Sequence, residues 1–225
     1  MISKTIRPCV GVILAGGLSR RMFANQTADN PQSGDKGLLR LGTATMIDHV
    51  VTRLQPQISR LVINANGDPS RFTALSLPVI ADPIDGFVGP LAGILAGYRW
   101  AETNSPEATH IISVSSDAPF LPTDLVRRLA ADAQIHPTAI ILARSRGELH
   151  PVIGCWPICH AQDLAQELDA GVRKIVRWTD RHGTRGVDFA DQIFGGEHVD
   201  PFFNANTPEE FAEATRLLAR ESHPR

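Results

Sequence analysis

The sequence predicts a doubly wound α/β fold, in which helices cover both faces of a mostly parallel sheet. Five short runs rich in branched apolar residues show no alternation with polar residues, as expected of strands that are buried on both faces. These runs lie at residues 10–14, 61–63, 78–81, 110–114 and 139–142. Helical patterns lie between several of them, and parallel strands require such crossover connections. The alternation therefore indicates a Rossmann-like sheet.

Helices can be recognised at three places along the chain. Residues 45–54 place their apolar side chains on one stripe, and Thr45 and Asp48 have the spacing of a capping box. A second apolar stripe follows Pro122, at residues 125, 126 and 129. The third helix starts at TPEE, residues 207–210, which offers a cap, a proline at the first helical position and a glutamate at the third.

The chain is long enough for one substantial core but short for two enzyme domains, since it has 225 residues of which 43% are hydrophobic. We therefore expect a single domain over residues 1–225. Residues 23–34 are polar, rich in turn formers and without periodicity, so we expect a loop insertion there. From about residue 145 onwards, prolines and glycines break the pattern into short pieces. We interpret this part as an extension that binds a second substrate.

The composition excludes several classes of function. The 22 Lys and Arg residues against 24 Asp and Glu residues lack the basic excess that nucleic-acid binding needs. The apolar runs at 10–15 and 91–96 are too short to cross a bilayer, so we expect no membrane segment. The three cysteines, Cys9, Cys155 and Cys159, are an odd number that does not suggest a disulfide framework, and we expect a cytoplasmic protein.

The first predicted strand leads into LAGGLSRRM at residues 14–22. Gly16 and Gly17 allow a tight turn whose backbone N–H groups can approach a ligand, as a triphosphate requires. Arg20 or Arg21 and then Lys36 add cationic side chains that suit phosphate oxygens. GxGxxG is absent and no GK[ST] follows, so the loop is neither a dinucleotide fingerprint nor a Walker A loop. The alternative is that the Gly-Gly turn has only a structural role, as a tight turn after the strand.

Two aspartates, Asp82 and Asp117, each follow a predicted inner strand, so both should reach the same edge of the sheet. Mg²⁺ prefers one or two carboxylates together with phosphate oxygens and water, which makes Asp117 the candidate metal ligand. Asn64 and Asn66 follow another strand, where their amides suit the edge of a base. The alternatives are a helix cap for each aspartate and a turn for the asparagines.

Taken together, these motifs resemble those of the bacterial molybdenum cofactor guanylyltransferases, the MobA family. The matching segments follow the family's order over roughly 200 residues, and as a set they are far more specific than any one of them. The segments are LAGGLSRRM at 14–22, DKGLL at 35–39, VINAN at 62–66, VIAD at 79–82, GPLAG at 89–93, SDAP at 116–119 and NANTPEE at 204–210.

The resemblance implies a nucleotidyltransferase fold and a reaction that joins GMP from GTP to the terminal phosphate of molybdopterin, releasing pyrophosphate. Mg²⁺ is the implied cofactor, and GTP and molybdopterin are the implied substrates. Transient contact with molybdoenzyme apoproteins or their chaperones is a further expectation. By the family's pattern the phosphates bind Leu14, Ala15, Gly16 and Lys36, the guanosine binds Asn64 and Asp82, Mg²⁺ binds Asp117, and the pterin contacts Asn204 and Asn206.

Lys36 and Asp117 are thereby the candidate catalytic residues. The attacking phosphate is already anionic near neutral pH, so the reaction requires no general base and no covalent intermediate. One departure from the family is that Phe23 follows Met22, where the family usually has glycine, and that twelve residues separate Met22 from Asp35. A lid that orders on ligand binding is one explanation of this longer loop.

Three alternative functions remain open. The nearest is another nucleotidyltransferase with the same loop, either the cytidylyltransferase of the same pathway or a sugar-nucleotide pyrophosphorylase. The double glycine of LAGG and the segment NANTPEE favour the guanylyl type. A nucleotide-binding carrier of the cofactor without turnover is disfavoured because both Asp117 and Lys36 are present. A dehydrogenase is disfavoured by the missing GxGxxG.

Overall fold

A seven-stranded sheet forms the centre of the computed structural model, which describes residues 9–16, 35–84 and 89–221. Six of its strands run parallel, and the strand third from one edge runs antiparallel to both of its neighbours. In the order in which they lie side by side, the strands are β5 (Val79–Ile80), β4 (Arg60–Asn64), β1 (Cys9–Leu14), β6 (His110–Ser115), β8 (Glu148–Pro157), β7 (Ile141–Ser145) and β9 (Arg185–Asp188).

Helices cover both faces of this sheet, which confirms the predicted doubly wound α/β class. One face packs against α1 (Met46–Leu54) and α3 (Leu125–Ile135). The other face packs against α2 (Pro90–Asn104), α4 (Ala161–Asp169) and α5 (Ile175–Thr179). Each face thus has its own cluster of buried apolar side chains. Across the described part of the chain, no helix combines the length and the apolar character needed to cross a membrane.

A third, smaller apolar cluster lies beside the sheet. Two short hairpins contribute to it, β2 (Arg40–Leu41) with β3 (Ala44–Thr45) and β10 (Gln192–Phe194) with β11 (Glu197–Val199). The last helix, α6 (Pro208–Glu221), packs against both hairpins through Ala214, Leu217 and Leu218. The chain before α1 and the chain before α6 are therefore held next to each other.

The helix starts that the sequence predicted at Thr45 and Thr207 are confirmed. The backbone N–H of Thr45 donates to Asp48 Oδ2 at 2.8 Å, and the Thr45 hydroxyl accepts from the Asp48 N–H at 3.3 Å. Thr207 and Glu210 exchange the same pair of hydrogen bonds at 2.9 and 3.2 Å. All five predicted strands are present, with ends shifted by at most three residues, and the strand predicted at 139–142 is the most displaced.

The sequence prediction missed α2, a helix of 15 residues, although it recorded the apolar run at 91–96. The reason is physical, because most residues of its first two turns are buried and no polar face marks the helix. Glycines at positions 93 and 97 lie on the side that contacts the sheet. A Cβ on Gly97 would lie 2.7 Å from Val12 Cγ2 and 2.9 Å from Ile111 Cδ1, so α2 sits closer to β1 than any other residue there would allow.

The residues after 145 contribute β8 and β9 to the central sheet. The hairpin between β7 and β8 turns at Arg146 and Gly147, both in the left-handed region with φ of 49° and 83°. Two consecutive residues of this kind give the turn the twist that tight hairpins favour. Arg146 forms a two-bonded ion pair with Asp191 at 2.9 and 3.0 Å, which holds this unfavourable conformation in place.

The order of the strands reverses at β1. The chain places β4 and then β5 on one side of β1 and returns to place β6 on the other side. In open α/β sheets, ligands bind outside the carboxyl ends of the strands at such a reversal. The residues that follow β1, β4, β5 and β6 are therefore the candidates for a binding site.

Gly97→Val should lower the free energy of unfolding by about 1–3 kcal/mol, because the added side chain has no room between α2 and β1. Urea denaturation monitored by circular dichroism measures this change. Arg99→Val, on the exposed side of α2, introduces the same residue and should cost less than about 1 kcal/mol. Equal unfolding midpoints for the two variants would contradict the close packing.

Candidate active site

Lys36, Asp117 and Asn206 meet just beyond the end of β6. Lys36 Nζ forms an ion pair with Asp117 Oδ2 and donates a hydrogen bond of 2.7 Å to Asn206 Oδ1. Both charged side chains are only 11% exposed, so each replaces part of the hydration that the other has lost. The three residues come from distant parts of the chain, and the pattern of strands and helices alone did not predict their contact.

The chain around Asp117 is held by several local contacts. The Ser115 hydroxyl donates to Asp117 Oδ1, and the Asp117 carbonyl accepts from the Ala205 N–H at 3.3 Å. Gly37 passes close to Ser116, where a Cβ on the glycine would lie 3.1 Å from the Ser116 Cβ. The segment that carries Lys36 can therefore approach the end of β6 because residue 37 has no side chain.

A second polar group lies at the ends of β4 and β5. The Asn64 amide donates to Asp82 Oδ1 at 2.9 Å, and the Asn66 amide donates to Asp82 Oδ2 at 2.7 Å. Asn66 Oδ1 accepts in turn from the Asp82 N–H at 2.8 Å. The structure thus brings the predicted residues Asn64 and Asp82 into direct contact. It adds Asn66 as a fixed partner of the same carboxylate.

Helix α2 begins against this polar group. A Cβ on Gly93 would overlap with Asn64 Oδ1 and would lie 2.7 Å from Leu14 Cδ2. The glycine in the first turn of α2 therefore lets the helix approach the Asn64 amide. Because α2 follows β5, its N-terminus lies at the carboxyl edge, where its free N–H groups and its dipole favour negative charge.

The described part of the glycine-containing loop continues from β1. The Ala15 N–H donates to the Asn64 carbonyl at 2.8 Å, and the Leu14 carbonyl accepts from the Ser116 N–H at 3.1 Å. Among the described residues, none lies within 4 Å of a Cβ built on Gly16, the last described residue of this loop. Gly17 and Arg21, which were also predicted to bind the nucleotide, lie outside the described residues, as does the insertion at 23–34.

Asp35 and Arg71 form an ion pair in the site, and no sequence motif predicted their contact. The Arg71 guanidinium lies 3.4 Å from Asp35 Oδ2 and donates to the Asn66 carbonyl at 2.7 Å. It therefore joins the turn that carries Lys36 to the turn that follows β4. Burial raises the pKa of the Asp35 carboxyl, and the charge of Arg71 opposes this shift only in part.

The other end of the carboxyl edge, at β7 and β8, carries Ser145, His150 and Asp200. Ser145 Oγ lies 2.7 Å from His150 Nε2 and donates to Asp200 Oδ1 at 2.8 Å. Burial lowers the pKa of His150, against the opposing effects of Asp200 and Glu148. Asn204 lies in the segment that leads from Asp200 to Asn206, and its buried Oδ1 has no hydrogen-bond partner among the described residues.

The donor set at Asp117 fits a divalent metal ion that binds together with phosphate groups. Hard cations of this kind take oxygen ligands, and Mg²⁺ commonly uses one or two carboxylates and keeps other positions for water and phosphate oxygens. Within residues 9–16, 35–84 and 89–221, no cluster of three or more His, Cys, Asp or Glu side chains forms a preassembled cage. A single carboxylate completed by the substrate's own oxygens agrees with this arrangement.

The fold and the site together define a class of protein. A doubly wound sheet with a glycine-containing loop, a buried lysine and a carboxylate at its carboxyl edge is typical of nucleotide-binding proteins. Residues 11–184 match the model of the family described as MobA-like NTP transferase domain. The chain belongs to this family, and it is a nucleotidyltransferase.

Relatives and solved structures agree with this assignment. A molybdenum cofactor guanylyltransferase from Bradyrhizobium sp. (strain ORS 278) is 46% identical over 222 residues, which is 98% of each chain. Another from Cereibacter sphaeroides is 38% identical over 212 residues, which is 94% of this chain and 98% of the relative.

Among solved structures, molybdopterin-guanine dinucleotide biosynthesis protein A from Archaeoglobus fulgidus has a TM-score of 0.70 at 20% identity, covering 94% of this chain and 99% of that one. The CTP complex of CMP:2-keto-3-deoxy-manno-octonic acid synthetase has a TM-score of 0.63 at 13% identity, covering 95% and 98%. At these identities the likeness shows the fold, and it confirms the nucleotidyltransferase architecture. A divalent metal ion is the class of cofactor typical of such transferases.

Asp35→Asn should raise the free energy of unfolding near neutral pH, and the gain should disappear as the pH falls toward 3.8. The reason is that the raised pKa makes the charged carboxyl less favourable in the folded chain than in the unfolded chain. The stability associated with the protonated group is present at low pH and is lost as the pH rises through the folded pKa. Urea unfolding of both proteins at several pH values measures the difference.

Asp68→Asn provides a control of opposite sign. The hydrogen bonds from Ser70 lower the pKa of the exposed Asp68 carboxyl, so the charged carboxylate stabilises the folded chain. Replacing it with an amide should therefore lower the free energy of unfolding near neutral pH. If Asp35→Asn also reduced stability at neutral pH, the interaction with Arg71 would outweigh burial, contrary to our expectation.

Proposed function

We propose that this nucleotidyltransferase transfers GMP from GTP to the terminal phosphate of molybdopterin, forming the guanine dinucleotide and pyrophosphate. Relatives that are 38–46% identical over nearly the whole chain carry the name molybdenum cofactor guanylyltransferase. The observation in this molecule that carries the proposal is the buried pair of Lys36 and Asp117 at the carboxyl edge of the sheet, the edge at which the glycine-containing loop leaves β1. This arrangement offers positive charge and a metal ligand to one polyphosphate.

GTP is proposed to lie along the ends of β5, β4 and β1. The amide of Asn64 and the carboxylate of Asp82 offer donors and acceptors suited to guanosine. The backbone at Leu14, Ala15 and Gly16, together with Lys36, is proposed to hold the phosphates. Gly17 and Arg21 complete the proposed phosphate-binding set.

Mg²⁺ is the proposed metal ion, and Asp117 is its proposed protein ligand. When bound, this ion would neutralise charge on the phosphate oxygens and on the leaving pyrophosphate. Ser115 orients the Asp117 carboxylate through its hydroxyl. The Lys36 ammonium pairs with Asp117, and it is proposed to bind the phosphates in the same region.

The residues of the chain act by positioning and by charge. The nucleophile is a phosphate monoester oxygen that is anionic near neutral pH, so the protein has no proton to remove. Lys36 and the loop N–H groups stabilise the negative charge that builds up as the bond to pyrophosphate breaks. Attack in line with that bond requires the second substrate to enter from the side opposite to the pyrophosphate.

The second substrate is proposed to bind to the part of the chain that follows residue 145, with Asn204 and Asn206 on the pterin side. The unpartnered amide oxygen of Asn204 supports this assignment. Asn206 contacts Lys36, so it is proposed to lie where the two substrates meet. We also propose transient contact with molybdoenzyme apoproteins or their chaperones. A cytoplasmic location is proposed because the three cysteines, Cys9, Cys155 and Cys159, form no disulfide.

Titration calorimetry with GTP, CTP and ATP in the presence of Mg²⁺ tests the nucleotide site. We expect GTP to bind most tightly, and Lys36→Ala to weaken its binding by about tenfold or more because a charge-assisted contact is lost. Arg127→Ala removes one positive charge from an exposed ion pair and should leave binding unchanged. Preference for CTP would assign the chain to the cytidylyl type, and absence of binding would refute the nucleotide site.

Asp117→Asn should lower kcat by about a hundredfold or more, because the variant loses the charge that holds the metal ion while keeping the shape of the side chain. Pyrophosphate release in the presence of GTP and molybdopterin provides the readout. Asp124→Asn, an exposed aspartate that pairs with Arg127, serves as the control and should retain full activity. Normal turnover in Asp117→Asn would remove this residue from the metal site.

A further inference from the structure

The hydrogen-bond chain of Asp200, Ser145 and His150 has no part in the nucleotide site. Ser145 is buried and lies between the other two, at 2.8 Å from Asp200 Oδ1 and 2.7 Å from His150 Nε2. The tight turn between β7 and β8 places Ser145 and His150 at diagonal positions of the hairpin, since Ser145 pairs with Glu148 and His150 pairs with Ala143. These hydrogen bonds join three separate segments and end on the half-buried ring of His150.

The hydrogen bonds from Asp200 through Ser145 determine which nitrogen of the His150 ring carries a proton. A carboxylate offers only lone pairs, so the hydroxyl of Ser145 donates its proton to Asp200. Ser145 can then only accept from His150, and the proton of the neutral ring must be on Nε2. The burial of His150 favours the neutral ring. The other nitrogen, Nδ1, therefore presents a lone pair.

This lone pair is open to a ligand. Among the described residues, Nδ1 of His150 has no hydrogen-bond partner, and it is not one of the enclosed polar atoms. The ring packs on Phe202 with centroids 4.7 Å apart, and Phe202 packs edge-on against Phe189 at 5.2 Å. Since both phenylalanines are buried, the direction of the ring is fixed before any ligand binds.

The position of His150 in the sheet indicates which substrate it meets. The proposed nucleotide residues follow β5, β4 and β1, and Asp117 follows β6, so strands β8 and β7 lie on the opposite side of Asp117. In the register of β6 and β8, Ser113 is opposite Gly154, and His150 therefore lies past the end of β6, level with the residues after it. In-line attack requires the acceptor substrate on this side.

One segment of chain connects the two parts of the site. Asp200 binds Ser145, Phe202 packs under His150, the Ala205 N–H donates to the Asp117 carbonyl, and Asn206 binds Lys36. The buried oxygen of Asn204, in the middle of this segment, is a second unpartnered acceptor. Two acceptors without donors suit a ligand that brings N–H groups.

We propose that His150 binds the second substrate by accepting, at Nδ1, a hydrogen bond from an N–H group of its heterocycle. Ser145 and Asp200 are positioning residues that hold the ring in the state required for this contact. The inference rests on the proposed function, because the pterin of molybdopterin supplies the N–H donors. An anionic phosphate is no partner for an unprotonated nitrogen, so the contact selects the ring of the substrate rather than its phosphate.

The state of the His150 ring can be measured without substrate. In ¹⁵N NMR spectra of the full chain labelled at histidine, the signals that disappear in His150→Phe identify this residue. We expect a neutral ring with the proton on Nε2 near neutral pH, and a mixture of the two neutral forms in Ser145→Ala. A proton on Nδ1, or a ring protonated at both nitrogens, would overturn the proposal.

Kinetics with freshly prepared molybdopterin test the contact itself. His150→Phe keeps a ring on Phe202 but removes Nδ1, and we expect the KM for molybdopterin to rise about tenfold while the KM for GTP is unchanged. His150→Asn places an amide oxygen near the position of Nδ1 and should recover part of the loss. His198→Phe, an exposed histidine of β11, is the matched control and should behave like the unaltered enzyme.

The outcomes separate the inference from the proposed function. If the unaltered enzyme forms the dinucleotide but His150→Phe leaves the KM for molybdopterin unchanged, the role of His150 is refuted alone. If His150→Phe raised the KM for GTP as much as the KM for molybdopterin, the residue would support the fold rather than bind the second substrate, which also refutes its role. If the unaltered enzyme transfers no GMP to molybdopterin, the proposed function fails, and the binding role of His150 fails with it.

Discussion

The buried ion pair of Lys36 and Asp117 is the interaction on which the rest of the site depends. Taking two charges out of water costs several kcal/mol per ion, and only good pairing with additional hydrogen bonds offsets this cost. Ser115 and Asn206 provide those hydrogen bonds. Since the groups come from the turn before β2, the end of β6 and the segment before α6, these three stretches must fold against one another for the charges to be satisfied. The assembly of the site and the completion of the tertiary fold are therefore the same event.

The carboxyl edge of the sheet is divided by this pair into two regions with different chemistry. On the side of β1, β4 and β5, amides and a carboxylate are hydrogen-bonded to one another, and the glycine-containing loop leaves β1 there. On the side of β8 and β7, a buried hydroxyl links a carboxylate to a ring that packs on aromatic side chains. The first region suits a nucleotide, and the second suits a flat heterocycle. The short segment from Asp200 to Asn206 keeps the two at a fixed separation.

The parts of the fold and the site that could be predicted from sequence are those determined by residues close together in the chain. Strands buried on both faces and the two capping boxes are determined by neighbouring residues, and they were predicted correctly. Helix α2 was missed because apolar residues and glycines occupy most of its circumference and leave no clear polar face. Its glycines are explained only by the close packing of the helix on β1. The contact between Lys36 and Asn206 joins residues 170 positions apart, and no pattern within one segment encodes it. The link between Asp35 and Arg71 was missed for the same reason. The candidate residues themselves came from motifs, and the structure shows which of the described ones lie together.

The central place of β1 has a consequence for synthesis of the chain on the ribosome. This strand is made before the other described strands, yet one of its two partners in the sheet, β6, follows about a hundred residues later. During that time one edge of an apolar strand remains without its neighbour, and an unpaired edge of this kind is where aggregation begins. The β7–β8 hairpin, in contrast, pairs through a two-residue turn and can form within microseconds once it has emerged. Among the described strand pairs, β1 and β6 are therefore the two neighbours whose pairing must wait longest during synthesis.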